Sequence, residues 1–221
     1  MFDHGSGPPL VVIPGVQGRW EWMRPALRQL QKRCRTLSYT LSGDAGSRFP
    51  YETGLGFDNY LTQLDRLLDR KQIDRTAVCG VSYGGLVALR YAATRPDRVT
   101  ALILVSAPAP GWTPSPRQQR YIARPWLSAP AFLVTAPLRV WPEIVAALPQ
   151  WPLRLTFAAK HGAQVLAAPM VPSRMARRVT LQQTLDFSGD CTLVRAPTLV
   201  ITGETSSTAS CRRRPLAGSF R

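Results

Sequence analysis

The stretch Gly80-Val81-Ser82-Tyr83-Gly84-Gly85 constrains this chain more than any other part of it. It follows a short apolar run, Thr76-Ala77-Val78-Cys79, and precedes Leu86-Val87-Ala88-Leu89-Arg90-Tyr91-Ala92-Ala93, a helix-forming stretch closed by Pro96. That context predicts a sharp strand-to-helix turn with Ser82 at its apex, the arrangement that exposes a serine as a nucleophile. Such a turn needs glycine on both sides of the serine. The apex backbone is strained, and a Cβ at the flanking positions would collide with the turn or hold the helix off the sheet. Gly80, Gly84 and Gly85 meet that need; an ordinary glycine-rich strand-to-helix turn is the competing reading of the same residues.

The rest of the chain supplies a sheet for this turn to stand on. Leu10-Val11-Val12-Ile13 reads as a buried strand ended by Pro14-Gly15, and Met23, Ala26, Leu27 and Leu30 then recur at helical spacing. Thr36 to Leu41 offers a second strand, and Asp58 is suited to cap a helix with Leu61, Leu64, Leu67 and Leu68 on one face. Thr100 to Val105 and Thr198 to Thr202 complete the series. Strands alternating with helices at these intervals predict an α/β fold with a doubly wound, mostly parallel sheet.

Residues 108–172 differ in character: they hold 12 of the 20 prolines and four of the six tryptophans (Trp112, Trp126, Trp141, Trp151), with Glu143 as their only acid. We read them as an inserted helical lid, leaving residues 1–107 and 173–221 as the core. The tryptophans either line an apolar acyl or alkyl site under the lid or pack the lobe onto the core.

Composition narrows the class. A chain of 221 residues that is 45% hydrophobic can bury a large core and is not disordered. No apolar run reaches the ~18 residues of a membrane span, and the first nine residues have neither a basic nor a long apolar segment, so a cytoplasmic protein is expected. Cys34, Cys79, Cys191 and Cys211 lack C-x-x-C spacing and read as reduced thiols, with no zinc site implied. The net charge of +15 is uneven: +5 in residues 1–99 and +10 in residues 100–221. Arginine outnumbers lysine 25 to 3. Attraction to anionic partners and a simply arginine-rich surface both account for this; no nucleic-acid-binding motif accompanies the charge, and no nucleic-acid partner is expected. Gly54-Leu55-Gly56 starts like a dinucleotide fingerprint, but Asn59 replaces the third glycine and no convincing strand precedes it. No cofactor is implied.

Leu10 to Trp22, the Ser82 turn with its flanking elements, Val99 to Pro108, and Ala196 to Glu204 together resemble the α/β-hydrolase family, over about 200 residues. The resemblance implies that Pro14-Gly15-Val16-Gln17-Gly18 stands where the family has its H-G-x-x-G oxyanion loop, with Pro14 where histidine is common. On that mapping the backbone N–H groups of Val16 and Tyr83 form the oxyanion hole for attack by Ser82, and their side chains face the acyl pocket.

The resemblance also implies an acid shortly after the strand at Thr198 to Thr202. Gly203-Glu204 fits, but Thr205-Ser206-Ser207-Thr208 then replaces each candidate aspartate. The family continues through a helix, a strand and a loop bearing the catalytic histidine, whereas this chain runs through Ser210-Cys211-Arg212-Arg213-Arg214-Pro215 to Arg221. A truncation, frameshift or altered gene end after Glu204 is the expectation, with an intact short variant and a rearranged site as the alternative. Among the residues present, Glu204 is the candidate acid and His161 the candidate base. His4 reads as part of a polar N-terminal extension, and Asp186 and Asp190 as residues that cap or end helices. The function expected is a serine hydrolase of esterase type on a small apolar ester or related acyl substrate, impaired by its ending. The rival is an inactive α/β-hydrolase fold that binds a partner, and self-association through an incomplete sheet is expected in either case.

Overall fold

The computed structural model of the protein describes residues 1–127, 130, 141, 145 and 150–203. The described strands are β1 (Phe2–His4), β2 (Pro9–Ile13), β3 (Arg35–Ser38), β4 (Thr76–Val81), β5 (Val99–Val105) and β6 (Thr198–Ile201). They form one sheet in the order β1-β3-β2-β4-β5-β6. Every pairing is parallel except that of β1 with β3.

Period-2 alternation sorts the apolar side chains onto two faces. Val11 and Ile13 of β2, Val78 of β4 and Leu102 of β5 enter one core, whereas Leu10 and Val12 of β2 and Cys79 of β4 enter the other. The first core is deep because two helices cover it: α2 (Asp58–Arg70) contributes Tyr60, Leu61, Leu64, Leu67 and Leu68, and α3 (Tyr83–Thr94) contributes Leu86, Val87 and Leu89. Each fully buried leucine here contributes about 2 kcal/mol of transfer free energy. The second core is thinner and lies under α1 (Arg24–Leu30), whose Leu27 meets Leu10 and Phe2.

The remaining described α-helices are α4 (Pro116–Ala123), α5 (Trp151–Ala167), α6 (Pro172–Gln183) and α7 (Ser188–Leu193). Arg90 of α3 holds α7: it pairs with Asp190 at 2.8 Å, donates to the Asp186 carbonyl at 2.8 Å, and lies over the Phe187 ring. Asp190 is thus a buried ion-pair partner inside α7 and not a helix cap, while the Asp186 carboxylate does accept from the Ser188 N–H at α7's start. Helices α4 and α5 both fall in residues 108–172. Trp126, Trp141 and Trp151 are exposed and Trp112 half-buried, so the first three do not pack a lobe onto the core.

Three local expectations change. His4 belongs to β1, paired in register with Thr36 and stacked edge-on against buried Phe2, so the first residues are a strand and not a polar extension. The strand expected to reach Leu41 ends at Ser38 because other partners claim the next backbone groups. Gln63 of α2 donates to the Thr40 carbonyl and accepts from the Ser42 N–H, both at 2.8 Å, and the Leu41 N–H donates to the Gly18 carbonyl. Asp58 is the first residue of α2, with Phe57 preceding it and no side-chain cap.

Candidate active site

Ser82 follows the carboxyl end of β4 and precedes the first residue of α3, at φ 52° and ψ −121°. A non-glycine residue reaches that region only when its surroundings over-determine it, at a cost of roughly 1–3 kcal/mol. Here the Ser82 N–H donates to the Val105 carbonyl at 2.8 Å, and the Ser82 carbonyl accepts from the Gly85 N–H at 2.8 Å. The hydroxyl makes no capping bond to α3, and the residue is half-buried.

The flanking glycines are sterically obligatory. A Cβ on Gly84 would fall on the carbonyl oxygens of Ile13 and Pro14, and one on Gly80 would fall on the Gly84 carbonyl. The first of these close approaches brings the Pro14–Gly18 loop onto the Ser82 turn. β2 and β4 pair Ile13 with Gly80, so both strands release their chains at the same level, and an ideal Cβ on Gly15 would lie 3.5 Å from the Ser82 Cβ. The loop is closed by the Gly18 N–H donating to the Gly15 carbonyl at 2.9 Å.

Tyr83, as the first residue of α3, has an N–H with no carbonyl to meet within its own helix. Its side chain departs from expectation. It is 2% exposed and wedged against Phe57 and Tyr60, with ring centroids 6.0 and 5.9 Å away, so it is core and does not face an open acyl pocket. Burial, and then neighbouring Tyr60, push its phenol well above the ordinary value. Val16 is half-buried with its side chain against the same core. Burial likewise pushes the Cys79 thiol up to about 11, leaving it protonated and inert inside β4.

The candidate base and acid are not brought to Ser82 by described side chains. His4, in β1, pairs with Thr36 near the start of β3, with β3 and β2 standing between it and β4, and lies toward the opposite end of the sheet from Ser82. The backbone of His161 lies in α5, and its side chain lies outside the described residues, as does Glu204.

A buried ionic group beside the loop has no local signature in the sequence. Arg178 of α6 is 2% exposed; its Nη1 donates to the Val16 carbonyl at 2.8 Å and its Nη2 to buried Asp44. Arg174, one turn earlier, stands 3.6 Å from the same carboxylate, and the Arg177 guanidinium covers the Tyr51 ring at 3.9 Å. In a chain with 25 arginines, one more on a helix carries no signal in sequence. Among the described residues, no helix is long and apolar enough to cross a membrane.

Comparison with known proteins agrees with this architecture. The 2-hydroxy-6-oxo-2,4-heptadienoate hydrolase of Pseudomonas putida is 29% identical over 111 residues, covering 48% of this chain and 40% of that relative. The putative carbamate hydrolase RutD of Klebsiella pneumoniae is 27% identical over 221 residues, covering 94% of this chain and 78% of that protein. A hydrolase from Pseudomonas aeruginosa PA01, whose crystal structure is known, superposes with a TM-score of 0.67 at 20% identity, over 95% of this chain and 77% of that one. The model of the alpha/beta hydrolase fold matches residues 8–185, and with the sheet order and the turn at Ser82 it leads to one conclusion: this chain belongs to the alpha/beta hydrolase family.

Proposed function

We propose that the protein is a serine hydrolase acting on a small apolar ester or related acyl substrate. The observation that carries the reading is the backbone of Ser82, held at φ 52° between β4 and α3 with the Pro14–Gly18 loop against it. In this reading the Ser82 Oγ attacks the acyl carbon and gives up its proton to a base. The oxyanion that forms is met by the N–H groups of Val16 and Tyr83, and the alcohol leaves to give an acyl-serine that water then cleaves. Each preorganised donor contributes on the order of 3 kcal/mol in the transition state. His161 is the candidate base and Glu204 the candidate acid. Residues 108–172 act as a lid that selects the acyl group, with residues 1–107 and 173–221 as the core. The related proteins named as hydrolases support the reaction class, and the carbamate hydrolase favours acyl substrates beyond simple esters.

A fluorophosphonate probe tests this. Labelling that disappears in Ser82→Ala is the expected result; labelling that survives the substitution points to another nucleophile, and none in the wild type overturns the reading.

A second reading, an inactive fold that binds a partner, is favoured by β6, whose Leu199, Val200 and Ile201 are all exposed. It predicts no phosphonylation.

A further inference from the structure

We propose that Arg178 is a positioning residue for the oxyanion loop, acting through the Val16 carbonyl. The inference rests on the acyl-transfer reading above and adds a residue to it.

The Pro14–Gly18 loop has few internal restraints. Its Gly15 and Gly18 have no side chains to pack, and Gly18 sits at φ +73°, leaving a backbone with more conformations open to it than any other residue type would allow. Its carbonyls are instead held from outside. The Gly18 carbonyl accepts from the Leu41 N–H at 2.8 Å, and the Val16 carbonyl accepts from Arg178 Nη1 at 2.8 Å. Arg178 is in turn fixed by Asp44, three residues beyond Leu41, so both restraints converge on the segment after β3.

The guanidinium also lies close over Gly18: an ideal Cβ there would stand 2.6 Å from both Arg178 Nη atoms. A planar fork that reaches a carbonyl with one nitrogen and a carboxylate with the other suits arginine and not lysine. An oxyanion donor works only if its N–H already points to where the charge develops, and misplacement by about 1 Å costs up to ~10²-fold in rate. Arg178 touches no reacting atom; it fixes the peptide that follows the Val16 N–H.

The test measures the rate of fluorophosphonate labelling per folded molecule, and kcat and KM for a p-nitrophenyl ester, at a temperature well below each variant's melting point. Arg178→Met should lower the labelling rate and kcat at least ~10-fold while KM stays within about 2-fold, because the donor and not the substrate contact is displaced. Arg178→Lys should recover part of the rate. The double variant Asp44→Asn with Arg178→Met avoids a stranded buried charge and carries the test if the single variant does not fold; the same loss is expected from it. A folded Arg178→Met or double variant that labels at the wild-type rate overturns the proposal, as does a loss fully accounted for by the unfolded fraction. An unlabelled wild type is distinguishable from either result, since it removes the acyl-transfer reading itself and the proposal with it.

Discussion

Asp44 and Arg178, 134 residues apart in the chain, meet as an ion pair in which both side chains are almost completely buried. A pair of this kind is costly to break from one side, because the partner left behind is a charge without water. Asp44→Asn should therefore destabilise the fold by about 3–5 kcal/mol. The double substitution Asp44→Asn with Arg178→Met should be distinctly less damaging. Urea unfolding of the two variants checks the difference; equal losses would mean that the pair matters for its packing and not its charge.

Gly84→Ala places a methyl group on the carbonyl oxygens of Ile13 and Pro14, which belong to a strand end and cannot swing away. We expect a loss of about 3 kcal/mol, the upper part of the range for overpacking. Phosphonylation of the remaining folded protein should fall as well, since the methyl pushes the loop off the Ser82 turn. Thermal melts paired with labelling read both.

At position 82 the backbone itself can be assayed. Ser82→Gly and Ser82→Ala both remove the hydroxyl, but only alanine keeps the strain of φ 52°. The glycine variant should be more stable than the alanine variant by about 1–2 kcal/mol. Equal stabilities in denaturant would show that the turn relaxes.

Asp3 supplies a pH dependence. Burial alone would raise its carboxyl, but hydrogen bonds from Arg35 and Lys71 outweigh that and hold it below the ordinary range. A carboxyl lowered in the folded state stabilises the fold above its unfolded value of about 3.9, and that contribution is lost as pH falls through the lower folded value. Asp3→Asn should therefore destabilise the protein at neutral pH and flatten its stability below about pH 4. A parallel acid-unfolding profile for the two proteins is the result that contradicts this.

Self-association, if it runs through β6, has a simple signature. The strand exposes Leu199 and Ile201 on one face of the sheet and Val200 on the other, and exposed apolar strands invite pairing with another chain. Val200→Lys should shift sedimentation at low micromolar concentration toward monomer. A wild type that sediments as an ideal monomer removes the expectation.

Much of this architecture was legible because it follows from local chemistry. The apolar runs at Leu10–Ile13, Thr76–Cys79 and Thr100–Val105 are strands because they are flanked by glycine, proline and helical periodicity, and the backbone at Ser82 could be anticipated from the glycines around it. The four-leucine face of α2 is likewise a matter of spacing. What local chemistry does not encode is which distant groups compete for a backbone. Gln63 takes the Thr40 carbonyl and so shortens β3, and three residues at the N-terminus become β1 because β3 has an open edge to pair with. Tyr83 looked outward from its place beside Ser82, yet Phe57 and Tyr60 enclose it. Asp44 and Arg178 are an ordinary acid and an ordinary arginine in the sequence; only the fold buries them together, where the low dielectric makes their pairing decisive.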